Sequence, residues 1–342
     1  MRPEPRVSII VPAYGVAHLL GDALASLQGQ HRQDWEAIVV DDGAPDDVAA
    51  AFARFADDPR FRLLRTDNRG VSTARNRAIA ASTAPFVAFL DGDDLYDPTY
   101  LERMLAAIEA DAGLAFVSCD ALCFGAGERA PRRYSATYAM AGPVSLERVL
   151  NREMNIFVAA ILRRGALDAV GGFDAGLVAS EDLDLWIRLL AAGWGGAVLA
   201  EPLVRYRRRR GSLSSSARRI LVGSCTVYRK AYAALEGRAD QAVADRMLAS
   251  CEQALRWLDG ETLILGGDVA AGLPLLAGAE RRSWRWRVAV GVMRRAPRLA
   301  AFLLRIRPWL PAPSRAPGGG GPPETTGRTD RGALTAPLPI KR

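Results

Sequence analysis

Two acidic turns, an acidic pair and a run of arginines are the residues of this sequence whose types and spacing could do chemistry. Asp41-Asp42 and Asp91-Gly92-Asp93-Asp94 each follow directly on a short apolar run, Glu181-Asp182 opens a stretch with helical periodicity, and Arg207 to Arg210 are consecutive. Carboxylates set so close repel one another unless a cation or hydrogen-bond donors lie among them. Hard oxygen ligands suit Mg2+ or Mn2+, which in turn hold a diphosphate, and Asp91 and Asp93 fit that role. Other phosphate-binding devices are missing: the first strand-to-helix loop reads PAYGVAHLLG without a G-x-G-x-x-G fingerprint, and no G-x-x-x-x-G-K-[ST] occurs. Four cysteines (Cys119, Cys123, Cys225, Cys251) and two histidines (His18, His31) show no zinc-site spacing, which leaves the thiols as reduced core residues.

The elements that would position these side chains alternate. VSIIV (7–11) is a continuous β-branched run of the kind buried on both faces of a parallel sheet, and Pro12 ends it. A helix over about 17–28 carries Leu19, Leu20, Ala23, Leu24 and Leu27 on one face. The cycle continues with a strand at 35–40, a helix near 47–56, a strand at 60–66, a helix at 72–81 and a strand at 86–90. Such alternation predicts an α/β fold with a mostly parallel central sheet. Ligands of these sheets bind beyond the carboxyl ends of the strands, where the acidic turns fall.

The motifs in order resemble those of family-2 glycosyltransferases with the GT-A fold: VSIIVPAY (7–14), WEAIVVDDG (35–43), NRGVSTARN (68–76), FVAFLDGDD (86–94), VGGFD (170–174), SEDLDLWIRL (180–189) and YRRRRGSLS (206–214). The resemblance covers about residues 5–215 and implies inverting transfer of a sugar from a nucleotide-diphosphate donor, UDP-linked by family frequency, to a hydroxyl of a glycan or lipid-linked acceptor, with a divalent metal, in cell-surface polysaccharide or glycolipid assembly. It places Pro12, Tyr14 and Asp42 around the nucleoside, with Tyr14 against the base and Asp42 hydrogen-bonding it, and Arg75 beside the base. Asp91 would lie near the ribose, Asp93 on the metal, and both belong to the D-x-D motif, while Asp94 supports the loop. Asp182 would be the general base that takes the proton of the attacking hydroxyl, with Glu181 and Trp186 on the acceptor side, although Trp186 also fits a core position. Gly171-Gly172 would let the backbone approach the donor sugar. The chain departs from its relatives at Gly15-Val16, where Asn-Glu is common, and at Arg209, where His is common; Arg cannot ligate a metal but can grip phosphate, with help from Arg207 or Arg208. The alternative reading is a nucleotide-sugar-binding protein that has lost turnover.

The 342 residues are 49% hydrophobic and 24% charged, which excludes general disorder. The net charge of +7 is uneven, because residues 281–342 hold 14 basic and two acidic side chains while the other 280 residues carry 31 basic against 36 acidic. A −5 body argues against nucleic acid as the partner. The expected organisation is a GT-A domain over 1–215, a helical extension over 216–280 that packs on it or on a second copy in a homo-oligomer, a basic amphipathic segment over 281–310 suited to an anionic membrane surface, and a disordered tail over 311–342. With no signal-peptide pattern and no apolar run long enough to span a bilayer, the expected location is cytoplasmic, peripheral at the inner face of the membrane.

Overall fold

The computed structural model describes residues 4–126, 130–209, 212, 216–278 and 284–305. The tail expected to be disordered, the end of the basic segment from residue 306, and Arg210 lie outside the described residues. The N-terminal half follows the predicted alternation: β1 (Val7–Ala13), α1 (Ala17–Gln28), β2 (Trp35–Asp41), α2 (Val48–Ala53), β3 (Phe61–Arg65), α3 (Val71–Ala80) and β4 (Phe86–Phe89). Then come β5 (Leu95–Tyr96), α4 (Tyr100–Ala110), β6 (Leu114–Gly125), β7 (Arg132–Arg133), α5 (Leu146–Leu150), β8 (Ile161–Arg163), α6 (Arg164–Ala169), α7 (Glu181–Ala191) and β9 (Gly195–Arg208). The sheet runs β3-β2-β1-β4-β8-β6-β9-β5, with β7 beside β6. β1, β2, β3 and β4 pair parallel, as do β6 and β9, while β8 and β5 pair antiparallel with their neighbours.

β1 sits at the centre because it can be covered on both faces. Val7, Ile9, Ile10 and Val11 are fully buried, Ile10 in the cluster with Ile38, Val87 and Trp186, and Val7, Ile9 and Val11 in the cluster with Leu20, Leu24 and Trp35. Removing each such side chain from water stabilises the fold by about 1.5–3 kcal/mol. The chain order reverses direction across the sheet at β1, with β2 on one side and β4 on the other, and this opens a crevice beyond their carboxyl ends.

Helices follow the sheet: α8 (Ala217–Ala234), α9 (Asp240–Leu265), α10 (Val269–Gly278), α11 (Trp284–Arg295) and α12 (Ala300–Arg305). The apolar stripe of α8, with Val227, Tyr228 and Ala231, joins the core of the sheet domain, and the Tyr228 hydroxyl donates 2.9 Å to the Leu150 carbonyl. Farther along, Trp257 and Ile264 of α9 form a separate cluster with Leu273, Leu276, Val290, Met293, Ala300 and Leu304.

One helix crossing bears directly on the acidic pair. Gly223 of α8 lies against the backbone just before α7, so that a β-carbon there would stand 2.3 Å from the Ala179 carbonyl oxygen. Glycine in a helix interior normally loses about 1 kcal/mol to alanine, but here the backbone clash decides the sign. Gly223→Ala is expected to destabilise by about 1–3 kcal/mol, read as a lowered Tm in thermal unfolding; a raised Tm would show that Ala179 yields without cost.

Candidate active site

The acidic residues meet at the carboxyl edge of the sheet, and arginines hold them there. The turn after β4 closes with an Asp94 N–H bond to the Asp91 carbonyl at 2.9 Å, and the Gly92 N–H donates 3.3 Å to the Pro12 carbonyl of β1. A β-carbon at Gly92 would come within 3.0 Å of that carbonyl and 3.1 Å of Val16, so the residue between the two aspartates has to be small. Arg75, projecting from α3 and only 2% exposed, donates 2.7 Å to Asp91 Oδ1 and 2.8 Å to Glu181 Oε1. Its guanidinium also stands 5.2 Å from the centroid of Phe173. Burial alone would lower the pKa of this arginine, but the two carboxylates more than offset that and raise it. A single buried cation therefore ties the β4 turn to the start of α7.

The other carboxylates of the turn face β9. Arg209 donates 2.6 Å from Nε to Asp93 Oδ2, the Arg207 N–H donates 2.8 Å to Asp94 Oδ1, and Arg207 Nε reaches the Asp93 carbonyl at 2.9 Å. Burial pushes the Asp93 carboxyl up, and the nearby Asp91 charge adds to this. Asp94, buried and accepting that backbone N–H, is pushed well above the usual carboxylate range by burial and by its two acidic neighbours. It supports the loop, as the sequence suggests. Arg208 points the other way, with its guanidinium 5.8 Å from the Tyr206 ring, so it does not join Arg207 and Arg209 at the acidic turn.

Asp182 lies beside Glu181 in the first turn of α7, half-buried, and accepts 2.8 Å from the Leu183 N–H. Burial, reinforced by the Glu181 charge, lifts its carboxyl to about 6. A carboxylate with that affinity for protons is suited to act as a general base near neutral pH. Three acids in this turn (Glu181, Asp182, Asp184) also complement the positive end of the helix. The turn starts from Ser180 in the left-handed conformation (φ 63°), which costs a non-glycine residue on the order of 1 kcal/mol.

Several expected contacts differ. Asp42 is buried and accepts from the Thr66 hydroxyl at 3.0 Å, the Arg69 N–H at 3.3 Å and the Gly70 N–H at 3.0 Å, holding the loop that starts α3. Arg75, enclosed, serves as the bridge described above. Glu181 turns one carboxylate oxygen to Arg75. Trp186 is 2% exposed with its ring 4.7 Å from that of Phe116, a core residue and not an acceptor contact, because its large apolar surface is better removed from water on the inner face of α7. Gly171 and Gly172 do make a tight turn, with φ of 77° and 70°, but the group that approaches Gly172 is the Asn76 amide, 2.7 Å from where a β-carbon would stand. Pro12, half-buried, and Tyr14, 50% exposed, remain at the mouth of the crevice.

The structure adds residues to which motif spacing did not give a role. Asp46 accepts from the N–H groups of Gly15 (3.0 Å) and Ala17 (2.6 Å), capping α1 from the β2–α2 loop. Asn76 pairs with both the N–H and the carbonyl of Phe173, which fixes the segment leading to α7. Lys230 of α8 donates to Asp174 (2.5 Å) and Asp184 (2.6 Å). An aromatic group lies on the far side of β9: Tyr134 stacks on Tyr138 at 4.3 Å and meets Phe157 at 5.0 Å and Tyr206 at 6.2 Å. Asp120 anchors this segment by accepting from the Ser135 hydroxyl and N–H. Burial raises the Tyr134 phenol well above its ordinary range.

Among the described residues no three His, Cys, Asp or Glu side chains gather as a closed metal cage. Two carboxylates still fit Mg2+ or Mn2+, which usually take one or two from the protein and the rest from phosphate and water. Asp91 and Asp93 each engage one oxygen with an arginine, leaving the hard second oxygen of each for a cation.

Known proteins resemble this chain in sequence and in fold. The family model described as glycosyl transferase family 2 matches residues 8–171. The succinoglycan biosynthesis protein ExoU of Rhizobium meliloti is 34% identical over 199 residues, 55% of this chain and 57% of its own length. The glycosyltransferase EpsH of Bacillus subtilis is 36% identical over 104 residues, 30% of each chain. The chain thus spans between about a third and just over half of these relatives. Among solved structures, Staphylococcus aureus TarS 1–349 in complex with UDP-GlcNAc aligns over 88% of this chain and 92% of its own, with a TM-score of 0.62 and 19% identity. The mannosyltransferase PcManGT from Pyrobaculum calidifontis, in complex with GDP-Man and Mn2+, aligns over 88% and 84%, with a TM-score of 0.58 and 21% identity. With the fold shared with these glycosyltransferase structures and the family match spanning β1 through the Gly171 turn, residues 8–171 are a glycosyl transferase family 2 domain.

Proposed function

We propose that the protein is an inverting glycosyltransferase that moves a sugar from a nucleotide-diphosphate donor, UDP-linked by family frequency, to a hydroxyl of a glycan or lipid-linked acceptor in cell-surface polysaccharide synthesis. The observation that carries this reading is the Arg75 bridge, which joins the turn bearing Asp91 and Asp93 to the turn bearing Asp182. Donor-holding and proton-accepting groups thereby share one rigid support. ExoU and EpsH, by their names, point the same way.

In this reading the base of the nucleotide lies against Tyr14 and Pro12, and the Asp42-held loop shapes the wall beside them. Asp91 and Asp93 would hold a divalent cation, which when bound neutralises charge on the leaving diphosphate. Arg209, already on Asp93, adds a guanidinium to the same phosphates. Asp182 accepts the proton of the acceptor hydroxyl as its oxygen attacks the anomeric carbon from the face opposite the diphosphate, so configuration inverts. One carboxylate base suffices, because the leaving group needs charge stabilisation rather than protonation. In this reading the Tyr134–Tyr138 pair would meet an acceptor sugar, with Asn155, whose side-chain NH2 donates 2.5 Å to the Tyr134 hydroxyl, at its edge.

Asp182→Asn is expected to lower transfer by about 10²–10⁴-fold while nucleotide binding, followed by calorimetry, stays intact; unaltered transfer would remove Asp182 from the chemistry, and a wild type that binds donor but transfers to nothing would reduce the protein to a binder. With the carboxyl at about 6, the base is protonated below that pH, so kcat/KM should rise with pH through about 6 and level off above it. An acidic limb near 4 would show that burial does not act on the base as inferred.

Arg75→Ala strands two carboxylates and should cost about 3–5 kcal/mol of stability, with Arg75→Lys intermediate because an ammonium replaces the fork with a point charge. Arg209→Ala, which leaves the partly buried Asp93 without its partner, should cost about 1–3 kcal/mol of stability and raise the donor KM on the order of tenfold or more, the size of a lost charge-assisted hydrogen bond. An unchanged donor KM would remove Arg209 from the phosphate site.

A further inference from the structure

The described residues contain eight exposed large hydrophobic side chains, and four of them lie within fifteen positions: Val288 (55% exposed), Val292 (40%), Leu299 (48%) and Phe302 (58%). The stretch folds against α9 and α10 through Val290, Met293, Ala300 and Leu304. At 100° per residue Val288 and Val292 stand on the side of α11 opposite Val290 and Met293, and Phe302 stands opposite Ala300 and Leu304 on α12. Both helices have thus satisfied one apolar face in the fold and present another outward. Val288, Gly291, Val292, Arg295 and Ala296 line a single shallow groove on that outer side.

The charge along this stretch of chain is of one sign. Arg294, Arg295 and Arg298 are exposed, and no aspartate or glutamate occurs between residues 281 and 323, whereas the first 280 residues carry 36. Arginine-rich composition alone does not remove acids from 43 consecutive positions. No described helix is long and apolar enough to cross a membrane. A short amphipathic helix with arginines beside exposed apolar side chains has the make-up of a segment that lies in an anionic lipid surface, its apolar groups among the upper acyl chains and its guanidinium groups at the phosphates. Nucleic acid would use the arginines but give the apolar face no partner.

We propose that the α11–α12 face is a docking surface for an anionic lipid bilayer, engaged through Val288, Val292, Leu299 and Phe302 together with Arg294, Arg295 and Arg298. This stands on observations separate from the catalytic reading. A chain docked in this way is held at the membrane, where a lipid-linked acceptor is confined to two dimensions.

Sedimentation of the full chain with phosphatidylcholine vesicles, alone or with roughly one-third phosphatidylglycerol, tests it. Binding is expected only with the anionic lipid. The triple variant Arg294→Gln, Arg295→Gln, Arg298→Gln should weaken it on the order of 100-fold, from about fivefold per arginine. The double variant Val288→Ser, Phe302→Ser should weaken it by about tenfold or more, with melting temperature and donor hydrolysis unchanged. Absence of binding, equal binding to neutral vesicles, or full binding by both variants would overturn the proposal. So would a shift from dimer to monomer in analytical ultracentrifugation of the double variant in a chain that ignores vesicles, which would make the face a contact between copies. Duplex DNA binding that depends on the arginines but not on Val288 and Phe302, without vesicle binding, would assign the charge to nucleic acid and count equally against it.

Discussion

Everything at the catalytic edge depends on balancing negative charge in a place where water is scarce. Asp91, Asp93 and Asp94 crowd one turn, and Glu181 and Asp182 crowd another. Left alone these groups would hold protons or force the turns apart. Arg75 counters this for Asp91 and Glu181, while Arg209 and the Arg207 N–H offset only part of it for Asp93 and Asp94, whose carboxyls stay above the ordinary range. Asp182 instead accepts from the Leu183 N–H, and the charges of Arg152 and Arg75 offset only part of what burial and Glu181 do to it, so its carboxyl rises to about 6. Asp182 thus stands at the crevice with a carboxyl at about 6, poised to take a proton near neutral pH.

The surrounding fold serves this arrangement with backbone-level precision. Asn76 clamps Phe173, Lys230 clamps Asp174 and Asp184, and Gly223 lets α8 come close to Ala179. All three constrain the segment from the Gly171 turn into α7, whose non-glycine start at Ser180 is strained. Strain of that kind persists only where neighbours over-determine the conformation. The helices after β9 are thus part of what keeps the acidic pair in place, since both Lys230 and Gly223 come from α8.

The parallel strands and their acidic ends were legible because each is a local pattern: VSIIV, AIVV and FVAFL must be buried, and the aspartates after the last two must lie at the carboxyl edge. The D-x-D turn and Glu181-Asp182 were legible as ordered motifs. What each side chain touches was not, because partners are far apart in sequence. Arg75 looked like a group for the nucleotide base, yet its partners lie 16 and 106 positions away. Asp42 looked like a free acceptor, and its donors come from the loop before α3. Trp186 could have faced either way on α7, and the side occupied by Phe116 decided it. Asp46 and the Tyr134–Tyr138 pair carried no motif at all, as they act through a helix end and a ring stack that only the folded chain creates.

Strand β9 has a consequence for how such a protein can diversify. Along its last residues alternate side chains serve different clients: Arg207 and Arg209 reach the acidic turn, while Tyr206 and Arg208 belong with the aromatic group. A strand exchanges its two faces when it gains or loses one residue. An insertion within β9 would therefore deliver tyrosine to the acidic side and arginine to the aromatic side in a single event. The spacing of β9 is thus locked by the need to serve the acidic turn and the aromatic group with one ribbon.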